Sequence, residues 1–113
     1  MVNLDREHYE SVLAALADPT RLQLLDLIAL KGQATATALA ESVTVSRQAV
    51  VKHLQILKNA RLVSSNRLGR EVRYTVCPGQ LTSTAEWMNH LAADWDKKLE
   101  WIKHMAEAKE NSD

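Results

Sequence analysis

With 113 residues the chain has room for one domain with a modest core, not for two. Its apolar fraction of 46% is in the globular range, and its apolar runs fall short of the ~18 to 20 residues that cross a bilayer, so a soluble chain is expected. The zero formal charge argues at first against a polyanionic partner, yet residues 45–76 hold seven basic side chains against Glu71 alone, a net of +6. Residues 1–44 and 77–113 each contribute −3, so charge is segregated along the chain. Such a cluster also arises as a merely solvated basic face, and charge alone does not separate the two.

The first residues, Met1-Val2-Asn3-Leu4-Asp5-Arg6-Glu7, have mixed charge and no apolar stretch before a small-residue cleavage site, so no secretion signal is expected. Cys77, the single cysteine, cannot form an intramolecular disulfide. Both features fit a reducing cytoplasm.

In chain order, Tyr9, Val12, Leu13 and Leu16 recur at helical spacing and predict a first helix over residues 4–17. Asp18-Pro19 is a start signal: the carboxylate can accept from unpaired backbone N–H groups, and proline in the first turn has no N–H to lose. A second helix runs from Pro19 to about Leu30, with Leu22, Leu25, Ile28 and Ala29 as its apolar face and Gly32 as a left-handed stop. Thr35 caps a short third helix from Ala36 to about Ser42 that turns Leu39 and Ala40 inward. Val43-Thr44-Val45 is then a turn, and Ser46 caps a fourth helix reaching about Asn59, with Val45 and Val50 spaced as a hydrophobic staple. Two helices joined by so short a turn form a helix-turn-helix unit.

After Ala60 the period changes to two. Residues 62–67 and 71–76 predict strands, the second with Val72, Tyr74 and Val76 on one face and Glu71, Arg73 and Thr75 on the other. Leu68-Gly69-Arg70 is a hairpin loop in which Gly69 takes a positive φ. Pro78-Gly79 ends the strand, and a long helix spans Leu81 to Lys109 with a stripe of Met88, Leu91, Trp95, Leu99, Ile102 and Met105. Asn111-Ser112-Asp113 reads as a frayed tail.

At about 100° per residue, Val50, His53, Leu54 and Leu57 gather on one side of the fourth helix and must be its buried side. The exposed side carries Gln48, Val51, Lys52 and Gln55, with Ser46 and Arg47 at the start and Lys58 near the end. Gln can read adenine, Arg or Lys can read guanine, and Val can touch a thymine methyl in a major groove. Arg67, Arg70 and Arg73 on and beside the hairpin are placed to reach phosphates, which adds affinity without much sequence information. The bland alternatives are a solvated helix face and a charged hairpin edge that discourages strand aggregation.

Leu16-Ala17-Asp18-Pro19-Thr20-Arg21, Leu39-Ala40, Val45-Ser46-Arg47-Gln48-Ala49-Val50-Val51-Lys52-His53-Leu54, Ala60-Arg61-Leu62-Val63 and Gly69-Arg70, in this order and spacing, resemble the ArsR-type winged helix-turn-helix regulators over nearly the whole chain. The resemblance implies a mainly α fold of five helices with a small β-hairpin. It also implies a homodimer through the first and last helices, a repressor's role on double-stranded DNA, and fourth helices that enter successive major grooves. It points to a non-metal branch with tryptophans on the last helix, here Trp87, Trp95 and Trp101. The family's metal sensors put a thiolate pair on the third helix, and Ala36 to Ser42 has no Cys. His104 and Glu107 match half of the family's zinc pattern, but Leu91-Ala92-Ala93 stands where the other half should be. No cofactor is therefore expected. Arg61 departs from the glycine that many relatives carry after the recognition helix, and a left-handed backbone there would cost about 1 to 2 kcal/mol.

No enzyme is expected: His8, His53, His90 and His104 are scattered, and neither a phosphate-binding glycine loop nor a nucleophile motif is present. Two alternatives to a DNA-binding repressor stay open at this point. One is a metal- or redox-responsive sensor, through His90 and Asp94 at i, i+4 or through Cys77 beside Arg73. The other is a winged helix serving a protein partner, which predicts a depleted basic face. An effector of unstated kind, the operator and the regulated genes are beyond sequence reading.

Overall fold

The computed structural model describes residues 2–111, and the side chains of residues 6–110. The elements are α1 (Val2–Leu16), α2 (Pro19–Lys31), β1 (Ala34–Thr35), α3 (Ala36–Ala40), α4 (Arg47–Asn59), β2 (Val63–Leu68), β3 (Glu71–Val76) and α5 (Gly79–Asn111). Ser112 and Asp113 lie outside the described residues, whereas Asn111, expected in the frayed tail, still belongs to α5. Nothing in Ala106 to Glu110 breaks a helix, since Ala, Glu and Lys are among the better helix formers.

Each short-range signal for a helix start is realised in a hydrogen bond. Asp18 is extended (φ −112, ψ 125), and its Oδ1 accepts from the N–H groups of Thr20 at 2.8 Å and Arg21 at 3.1 Å. The Arg21 N–H contributes most to holding the Asp18 carboxyl below its ordinary value, aided by the Thr20 N–H and by the charge of Arg21, with partial desolvation opposing. Thr35 Oγ1 accepts from Ala38 N at 3.1 Å, and Ser46 Oγ accepts from Ala49 N at 3.1 Å.

The end of α4 is equally defined. Arg61 sits at φ 61, its N–H donates to Lys58 O at 3.0 Å, and Leu62 N donates to Leu57 O at 2.9 Å. This paired closure is a Schellman motif with Leu57 and Leu62 as its buried apolar contact. A position that favours glycine therefore holds arginine.

The chain divides into two compact units, Met1–Thr82 and Ser83–Asp113. In the first, Val12 and Ala15 of α1, Leu24, Leu25 and Ile28 of α2, Leu39 of α3 and Val50, Leu54 and Leu57 of α4 form the core with Leu62 and Val63. Each fully buried aliphatic side chain stabilises by about 1.5 to 3 kcal/mol relative to exposure. Here α2 corrects expectation: Leu24 is fully buried, while Leu22 is 46% exposed and Ala29 is exposed. With Leu22, Leu24, Leu25, Leu27, Ile28 and Leu30 around one helix, periodicity did not single out a face. Leu13 of α1, also expected inward, is exposed, and Ala15 takes the core position.

Arg21 joins three helices in this unit. Its Nε donates to Ala15 O at 2.7 Å and its Nη2 to Ala14 O at 3.1 Å, satisfying carbonyls at the end of α1. Its Nη1 donates to His53 Nδ1 of α4 at 3.2 Å.

The sheet has three antiparallel strands in the order β1-β3-β2. Val63 to Leu68 pair with Val76 to Glu71, so Leu68, expected in the loop, closes the ladder opposite Glu71 and the turn is the two residues Gly69 (φ 64) and Arg70. Strand β1 was not foreseen: Ala34 pairs with Tyr74 and Thr35 with Arg73. In the second unit the α5 stripe stays open, with Met88, Trp95, Leu99, Ile102 and Met105 between 44% and 64% exposed. Among the described residues no helix is long and apolar enough to cross a membrane.

Candidate nucleic-acid interface

Helix α4 separates its two faces sharply. Val50, Leu54 and Leu57 are fully buried, His53 is half-buried against Arg21, and Arg47, Gln48, Val51, Lys52, Gln55 and Lys58 are exposed. Burial of one face fixes the rotation of the helix, and so fixes which side chains the other face presents. Exposed Gln55 donates from Nε2 to Asn59 Oδ1 at 2.9 Å, one helical turn away. Ser46 uses its oxygen as the cap acceptor and keeps its O–H as a donor.

The three hairpin arginines are not equivalent. Arg70 is at the turn, exposed, and has no ion-pair partner among the described residues. Arg67 is exposed, and its Nε donates to Gly69 O at 3.3 Å across the turn. Arg73 is half-buried mid-strand and pairs with Glu71, at 3.3 Å from Nε and 3.2 Å from Nη2. The register sets Arg67 opposite Val72 and Arg73 opposite Asn66, so Arg67 and Arg73 project from opposite faces of the ladder.

Between α3, the start of α4 and the hairpin lies an open cleft of about 580 Å³. It brings together Arg47, Val51 and Arg70 of the sequence-derived set, while Gln48, Lys52, Gln55, Arg67 and Arg73 are not among its lining residues. Thr35, Thr37, Glu41, Glu71 and Tyr74 also line it, and sequence reasoning had given none of them a part in binding. Arg47 Nε donates to Thr37 Oγ1 at 3.0 Å, so α3 contributes a polar side chain to the surface that α4 presents. The available signal was that the first helix of a helix-turn-helix packs against the start of the second, which puts its exposed hydroxyls beside the reading face.

Such an arrangement supplies amide, guanidinium and ammonium donors on one exposed face, a methyl-bearing side chain among them, and two exposed hairpin arginines to one side. These groups suit base edges and phosphates. Exposed His104 and Glu107 stand on α5, and no group of three His, Cys, Asp or Glu that could hold a metal ion occurs among the described residues.

Comparison with known proteins agrees with this geometry. Residues 18–65, which span α2 through the start of β2, match the family model described as bacterial regulatory protein, arsR family. The transcriptional repressor SdpR of Bacillus subtilis (strain 168) is 34% identical over 89 residues, covering 79% of this chain and 98% of that protein. The structure of an ArsR-like transcriptional regulator from Rhodococcus sp. RHA1 superposes with a TM-score of 0.79 at 38% identity, covering 90% of this chain and 95% of that one. A homodimeric winged helix-turn-helix DNA-binding domain from Mycobacterium bovis, described as a possible ArsR-family regulator, gives 0.65 at 28% identity over 81% of this chain and 83% of that one. The chain is therefore not an enzyme of recognisable type but a winged helix-turn-helix protein, and it belongs to the ArsR family of bacterial transcriptional regulators.

Proposed function

We propose that the chain acts as one DNA-binding domain, a cytoplasmic repressor that binds an imperfect inverted repeat as a homodimer. The observation that carries this is the outward face of α4: Gln48, Val51, Lys52 and Gln55 are exposed on a helix whose opposite face is locked into the core. In this proposal those four residues and Arg47 read base edges, Ser46 donates to a phosphate, and Arg67, Arg70 and Arg73 hold the backbone beside the hairpin. Arg70 contributes most of the three, because Arg73 is already engaged with Glu71. Two copies place their fourth helices about 34 Å apart, one turn of B-DNA, and occupancy of the site excludes RNA polymerase.

Support for the homodimer comes from the Mycobacterium bovis relative and from the open apolar stripe of α5. Any effector acts only to the extent that it binds the DNA-competent and DNA-incompetent dimers differently.

The test is selection of bound fragments from a random DNA pool by metal-free protein at two salt concentrations. Recovery of an inverted repeat with half-sites one turn apart is expected. Binding that is salt-sensitive but blind to sequence would replace the repressor by a non-specific architectural protein.

A further inference from the structure

We propose that Thr37, on α3, is a positioning residue that presets Arg47 to read a guanine in each half-site. The inference rests on the DNA-binding function proposed above and adds a specificity determinant lying outside the recognition helix.

Arg47 is the first residue of α4, and the N-terminal residues of a recognition helix are the ones that contact base edges. Its side chain is exposed and has no carboxylate within ion-pair distance among the described residues, so its charge is available to a ligand. The guanidinium is nevertheless not free to wander. Nε donates to Thr37 Oγ1 at 3.0 Å, from a residue ten positions earlier on another helix.

The consequence follows from guanidinium geometry. The group is planar and presents its donors in a fixed fork. With Nε occupied by the hydroxyl, the edge that joins Nε to one terminal nitrogen is blocked, and the end-on pair Nη1 and Nη2 remains. That pair offers two parallel N–H groups that match guanine O6 and N7. Thr37 suits the task because a helical threonine has only two common χ1 wells, and in the one it occupies its hydroxyl accepts from Arg47 Nε. Holding Arg47 before DNA arrives also lowers the ordering cost of binding. A phosphate could accept from the same two nitrogens, but it would confer no base preference, and this difference separates the two ligands experimentally.

The experiment uses the full chain and competitive binding to duplexes carrying the selected operator with each base substituted in turn. The wild-type protein is expected to prefer guanine at one position per half-site by about tenfold or more. Thr37→Val keeps shape and β-branching but removes the hydroxyl, and should reduce that preference to within about threefold while binding to random duplex stays within about twofold. Thr37→Ser restores the acceptor and should recover most of the preference. Arg47→Lys keeps the charge without the fork, and should lose the preference while the salt dependence is unchanged. Unaltered thermal melting of Thr37→Val confirms that folding is not the cause.

If Thr37→Val leaves a wild-type guanine preference intact, the positioning role is overturned and the repressor stands. Equal weakening on every sequence would assign the pair to a phosphate and also overturn the proposal. Wild-type protein that selects no operator would remove the repressor itself, and this inference with it.

Discussion

Helices α4 and α5 are both amphipathic by sequence, yet their apolar stripes end in different surroundings. Val50, Leu54 and Leu57 of α4 are each 0% exposed, whereas Trp95, Leu99 and Ile102 of α5 keep 57%, 64% and 57% of their surface open. An apolar stripe thus identifies a face that is better covered than wet, and leaves open whether the cover comes from the same chain or from another copy. The α4 face is covered from within, which is what makes its opposite face a stable platform.

The sharpest way to break this comparison is to damage the covered stripe. Leu54→Ala should cost about 2 to 5 kcal/mol, near the upper end where the surroundings cannot collapse, and is read by chemical denaturation. A cost below about 1 kcal/mol would mean that α4 is not anchored as described. For the open stripe, Leu99→Glu should weaken the proposed dimer at least about tenfold, roughly 1.4 kcal/mol, in sedimentation velocity. A dimer indifferent to that change would place its interface away from α5.

Smaller effects sharpen the account of how α4 ends and how α2 begins. Arg61→Gly relieves a left-handed non-glycine residue and should stabilise by about 1 kcal/mol, partly offset by the freer unfolded chain. A lower denaturation midpoint in that variant would show that Arg61 makes a stabilising contact larger than its strain. The Asp18 carboxyl is held below its ordinary value of 3.8, so its stabilising contribution is complete above that pH and is lost as pH falls through the lowered folded value. Asp18→Asn, which still caps, should show a shallower loss of melting temperature between neutral and acid pH than the wild type. Identical acid profiles would assign the acid sensitivity elsewhere.

Much of the architecture was legible because it is built from local signals. Asp18, Thr35 and Ser46 cap the helices they precede, Gly32 and Gly69 take the positive φ that their turns require, and the left-handed backbone at Arg61 was foreseeable from its place just after α4. These depend on residues within a few positions of one another. The inner face of α4 was equally readable, since Gln48, Lys52 and Gln55 leave one apolar side. Helix α2 was not, because its leucines surround the axis and only its packing partners select Leu24 over Leu22. Strand β1 escaped notice because two residues carry no period, and their strand character consists in pairing with Tyr74 and Arg73.

The sequence by itself therefore determined the helix starts after Asp18, Thr35 and Ser46, the hairpin, the family and the candidate side chains on the outward face of α4, since capping, turn chemistry and periodicity act within a turn or two of chain. Only the tertiary structure decided which of those side chains stand together. The Thr37 to Arg47 hydrogen bond, the Arg21 to His53 link and the opposite projection of Arg67 and Arg73 depend on how separate elements are rotated and registered against one another. That rotation is set by packing over the whole core, which no local stretch of sequence encodes.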